Sequence, residues 1–87
     1  MGGELLLSRM ASEFPESGAE LLRFPSGSFM IEFRVRGVTY VIEHVEGQGY
    51  GLSRQRGKRY RWEFVDEAYR TLADLEQRLR KLMTPPS

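Results

Sequence analysis

The most regular stretch of the chain alternates. From Ser28 to Arg36, Phe29, Ile31, Phe33 and Val35 fall on one side, with Met30, Glu32, Arg34 and Arg36 on the other. Period two with aromatic and branched residues predicts a half-buried strand. Val38 to Val45 follows after Gly37 and predicts a second. If Arg36-Gly37 is a two-residue loop, Val35 faces Val38, Phe33 faces Tyr40, Ile31 faces Ile42 and Phe29 faces His44. The apolar sets then coincide, as register and cross-strand packing require.

Glu46-Gly47-Gln48-Gly49 reads as the next turn, after which Tyr50 and Leu52 continue the apolar face. Gly51 has room for a bulge or a bend. Arg56-Gly57-Lys58 reads as a three-residue loop, with Tyr60, Trp62 and Phe64 as the last inward set. That register sets Leu52 against Trp62 and Tyr50 against Phe64. Earlier in the chain, Leu5 to Ala11 predicts a short helix with Leu6, Leu7 and Met10 on one side, broken by Pro15, Ser17 and Gly18. Ala19 to Phe24 fits an edge strand or a helical turn, and periodicity does not separate the two at this length.

The last element predicted is a helix. Asp66 is placed as its N-cap and Glu67 in its first turn. Ala68, Leu72, Leu75, Leu79 and Leu82 trace one apolar stripe, and Arg78, Arg80 and Lys81 suit the negative end of the dipole. Pairs four residues apart, Asp74–Arg78 and Glu76–Arg80, would support its solvated face. Thr84-Pro85-Pro86 stops it, leaving 84–87 as a frayed tail.

These elements amount to an α+β domain, residues 1–87 forming a single unit. Its curled antiparallel meander of three to five strands packs against one C-terminal helix, behind a partly ordered N-terminal segment over 1–18. Eighty-seven residues suffice for one core. No apolar run reaches the roughly 20 residues of a membrane helix, no secretory signal opens the chain, and cysteine is absent. A cytoplasmic location is the expectation.

Composition yields little chemistry. Without cysteine there is no disulfide, thiolate site or thiol nucleophile. His44 is the single histidine and reads as structural, since zinc would need carboxylates or a second subunit beside it. The acid pairs, Asp66 with Glu67 and Asp74 with Glu76, read as helix electrostatics and give no cause for a shifted catalytic carboxyl. Gly47-Gln48-Gly49-Tyr50-Gly51 lacks the Gly-Lys-Ser/Thr and the following helix of a phosphate loop. The expectation is a binding protein, with no enzyme activity, metal or cofactor.

Charge changes the picture. Net charge is +1, yet residues 48–62 hold five bases (Arg54, Arg56, Lys58, Arg59, Arg61) and no acid. Such a segment in a near-neutral chain implies a directed surface. Arginines outnumber lysines eleven to two, which suits bidentate contacts with phosphate or base edges. The basic hairpin, with Arg34 and Arg36 on the outward sheet face, predicts a small accessory or regulatory protein that binds DNA or RNA. The length also suits a phage or mobile-element protein. The alternative is a protein-interaction module or homodimeric adaptor using an outward apolar patch of Met30, Val41 and Val45. Glu32, Glu43 and Glu63 lie on the outward face and dilute its positive potential.

One helix, three strands and a second helix, with Gly57-Lys58 before the last strand, resembles the order of double-stranded-RNA-binding domains. That resemblance implies a lysine-rich start to the final helix, where this chain has Asp66-Glu67-Ala68, so the family's activity is not carried over. A three-stranded sheet followed by a helix is also similar to the sheet-reading DNA-binding domains of the ethylene-response and integrase-arm kind. There, Arg34, Arg36, Arg59 and Arg61 would occupy the reading face.

Overall fold

A computed structural model describes residues 2–55 and 66–84. Helix α1 (Gly2–Glu13) and a 3-10 turn (Pro15–Ser17) precede four strands, β1 (Glu20–Arg23), β2 (Phe29–Val35), β3 (Val38–Val45) and β4 (Gly49–Arg54). A short β5 (Glu67–Tyr69) and helix α2 (Leu72–Met83) follow. The five strands form one antiparallel sheet in the order β1-β2-β3-β4-β5, each paired with its neighbour in sequence. The α+β meander is therefore the observed fold. The described residues place five strands between the helices, so the three-stranded order behind both resemblances does not hold.

The long hairpin has the expected register: Val35 opposes Val38, Phe33 Tyr40, Ile31 Ile42 and Phe29 His44. Arg36 (φ 49°) and Gly37 (φ 81°) are both left-handed, as the tight turn matching strand twist requires. The ambiguous Ala19–Phe24 stretch is resolved as edge strand β1. Beyond β3, Gln48 N–H donates to Val45 O at 2.9 Å across Gly47 (φ 84°). Pairing then runs from Val45–Gly49 to Tyr40–Arg54 without a break, so Gly51 makes no bulge.

Two expectations need correction. The partner of β4 is β5: Tyr50 opposes Tyr69, Gly51 Ala68 and Leu52 Glu67. The proposed pairings of Leu52 with Trp62 and Tyr50 with Phe64 are thereby replaced, and Tyr60, Trp62, Phe64 and the Arg56–Lys58 loop lie outside the described residues. Asp66 is likewise not an N-cap. The ladder groups of β4 recruit residues 67–69 as a strand, and Thr71 caps α2 instead, its side chain accepting from Asp74 N–H at 3.1 Å. Ala68 consequently leaves the apolar stripe, while Leu75, Leu79 and Leu82 are buried.

Both helices cover the same sheet face. Leu6 and Met10 of α1 join Leu75, Leu79 and Leu82 of α2 over Phe29, Ile31, Phe33, Val35, Ile42 and Leu52. Gly3 sits so close to the sheet that a Cβ there would meet Leu21 at 3.1 Å and Phe29 at 3.2 Å. Arg9 bonds Glu76 at 2.5 Å, and Arg80 approaches Glu13 at 3.8 Å. With 9 against 76 and 13 against 80, the helices run in the same direction. Arg78 is also committed elsewhere, to Glu67 at 2.7 and 3.3 Å. The expected pairs Asp74–Arg78 and Glu76–Arg80 are thus displaced by tertiary partners, and Glu76 is buried against α1.

Two carboxyls carry opposite consequences for stability. Arg78's hydrogen bonds, with help from the Tyr69 hydroxyl, hold Glu67 below the usual carboxylate range despite partial burial. That stabilisation is present above the unfolded-state pKa and is lost as pH falls through the folded value. Glu43 lies on the opposite face, yet its burial pushes its carboxyl upward, so stability falls as pH rises through its titration. Glu67→Gln should lower stability at pH 7 by about 0.5–1 kcal/mol, and Glu43→Gln should raise it. Each difference should vanish once pH has fallen through that carboxyl's folded-state value, Glu43's before Glu67's, because wild type and variant are then alike uncharged. Denaturant melts at pH 7 and along an acid series check the signs.

Candidate nucleic-acid interface

The face away from the helices carries Glu20, Glu32, Val41 and Ser53 in one row across the sheet. Leu22, Met30, Glu43, Gly51 and Ala68 form the next. Glu20 and Glu32 are exposed there, and Glu43 is buried rather than solvated. Of the apolar candidates, Met30 and Val45 are half-buried, whereas Val41 is 1% exposed and closed to a partner in this conformation.

The basic residues group by end of the sheet more than by face. Arg34 is exposed on the outer face at the last turn of β2, and its guanidinium makes no ion pair or hydrogen bond among the described residues. Arg36 does not share that face. Its left-handed turn conformation sends it to the end of α2, where Nη2 donates to Leu82 O at 2.9 Å. A cation there complements the helix dipole. Arg54 closes β4 opposite Tyr40, on the helix-covered side, and its side chain is exposed.

All three lie where the β2–β3 turn and the last residues of β4 come together. Residues 55 and 66 are anchored there too: Gln55 N–H donates to Thr39 O at 2.9 Å, and Arg54 N–H to Asp66 Oδ2 at 2.9 Å. Gln55 and Asp66, which flank the stretch bearing Arg56, Lys58, Arg59 and Arg61, both lie at this end, and those four residues lie outside the described ones. Asp66 thus serves as a clamp on β4 rather than a helix cap.

His44 sits at the opposite end of the sheet. Its Nδ1 is 2.7 Å from Gly49 O, and its ring packs between Phe29 (centroids 5.1 Å apart) and Tyr50 (4.5 Å). Its partners are those of a structural residue. Among the described residues, no group of three His, Asp or Glu side chains is placed to hold a metal ion, and no helix is long and apolar enough to cross a membrane.

Sequence reasoning missed the groove beside Arg34. It has a volume of about 550 Å³ and runs between the end of α1, the 3-10 turn, the end of β2 and Met83. Ser17 at its wall is 4% exposed, and its Oγ has no hydrogen-bond partner among the described residues. Phe14-Pro15 followed by Gly18 signals the chain break, but nothing local signals the burial of the hydroxyl. No family model, curated protein or solved structure matches this chain.

Proposed function

We propose that this protein is a small nucleic-acid-binding accessory protein that meets the phosphate backbone with one end of its sheet. The observation that carries this reading is convergence. Arg34, Arg36, Arg54 and both anchors of the arginine-rich connection lie at the same end. An end-on contact also avoids the acidic rows of the open face, which a groove-reading sheet would have to bring against phosphate.

The test is fluorescence anisotropy with duplex DNA, single-stranded DNA and RNA over a salt series. Binding is expected to weaken with salt, the logarithmic slope reporting about 0.7–0.9 per phosphate contacted. Replacing Arg34 and Arg54 by Ala should reduce that slope by about one each. Replacing Arg56, Lys58, Arg59 and Arg61 together should abolish binding. Absence of binding to every probe at low salt would refute the proposal.

A second reading rests on β1. Among the described residues no strand lies beyond it, and Leu22 and Phe24 are 57% and 40% exposed along this edge. An open edge beside apolar side chains suits strand addition by a protein partner. Light scattering on the same samples separates a second copy of the chain from a foreign partner.

A further inference from the structure

We infer that the groove beside Arg34 is a seat for one unstacked nucleotide, with a preference for guanine. The inference rests on the nucleic-acid reading above and adds to it a single-stranded, base-recognising contact. Three kinds of group meet there. Arg34 and Arg36 form one wall and can take a phosphate, Arg34 through its whole guanidinium and Arg36 through the N–H groups not used on Leu82. Phe14 and Met83 are half-buried and form the apolar part, a surface on which a flat base can lie. Glu16 is exposed on the remaining wall, and a carboxylate accepts from adjacent N–H donors on a base edge.

Ser17 makes the groove more than a surface crease. A hydroxyl buried without a partner is destabilising, and Ser17 lines both the main groove and a second hollow of about 500 Å³ that also borders Arg34, with its Oγ buried just behind their walls and unpartnered among the described residues. Rotation of the Ser17 side chain into the groove would let a phosphate or ring acceptor of a bound ligand satisfy it. The volume of about 550 Å³ falls within the range of small-ligand sites. Guanine is favoured because its ring N–H and exocyclic amine lie side by side, matching two carboxylate oxygens. Adenine and cytosine offer one amine beside an acceptor, which the carboxylate would repel.

The test is an amide-resolved NMR titration of the full chain with 5′-GMP, 5′-AMP, 5′-CMP and inorganic phosphate. GMP should shift the amides of Phe14, Glu16, Ser17 and Arg34 at millimolar concentration, at least fivefold more tightly than AMP or CMP. Phosphate should move the arginine amides alone. Phe14→Leu, which keeps apolar bulk without the aromatic face, and Glu16→Gln should each weaken GMP at least fivefold. Ser17→Ala should weaken GMP while raising the melting temperature of the free protein by a few degrees; a lowered melting temperature would mark the hydroxyl as structural and overturn its assigned role. Equal binding of all three nucleotides would overturn the guanine preference. Salt-sensitive oligonucleotide binding without GMP shifts at the groove would overturn the seat and leave the parent reading intact, whereas silence from oligonucleotides and GMP alike would remove both.

Discussion

Gly49→Ala is expected to destabilise the fold by about 3 kcal/mol, combining left-handed strain of about 1–2 kcal/mol with a steric clash. Gly49 has φ 84°, and a Cβ built on it would lie 2.5 Å from Tyr69 O and 3.3 Å from Arg70 Cα. These are backbone atoms, so relief requires β5 to move off β4. The same shift would disturb the contact between His44 Nδ1 and Gly49 O. For a domain of this size, about 3 kcal/mol corresponds to a melting temperature lower by roughly 12–24 °C. Gly47→Ala is the control. Gly47 shares φ 84° but has nothing within 4 Å of its added Cβ, so it should show the strain alone. Equal losses in the two variants would contradict the close approach of β5.

Phe33→Ala should cost about 3–5 kcal/mol, the usual range for emptying an aromatic site in a core. Phe33 is 1% exposed in the middle of β2, and its ring stacks on Tyr40 with centroids 5.6 Å apart. A chain of this length has a total stability of roughly 4–13 kcal/mol. The variant should therefore lie near the edge of folding at 25 °C, visible as loss of cooperative denaturant unfolding. Phe33→Leu, which preserves much of the volume, should lose less than half as much. If the alanine variant unfolded like wild type, the helix-covered face would not be the core.

The long hairpin was legible because two independent constraints agreed. Alternation in each strand and the length of the Arg36-Gly37 loop gave the same pairing. Strand β5, residues 67–69, was not legible for the converse reason. Three residues are too few to display a period, and Asp-Glu-Ala imitates a capped helix start, so only the open ladder of β4 reveals the strand. Arg36 illustrates a limit on face assignment: parity holds within a strand, and this residue sits one position past its end in a left-handed turn. Arg34, still inside the strand, kept its expected face. Burial was legible where it followed from alternation, and Val41 and Glu43 break that rule on the face away from the helices. The Ser17 groove was invisible because its walls come from three separate stretches of the chain, residues 13–17, 34–36 and Met83, joined only by tertiary contacts.

Every strand in this sheet pairs with a sequence neighbour, whereas its cover arrives from the two extremes of the described chain. Hairpins can form early, because the separations they span are short. None of them is shielded until α1 and α2 close side by side, tied by Arg9 to Glu76. Assembly should accordingly have a local beginning and a global finish, and lifting either helix should release its neighbour and expose the whole greasy surface at once.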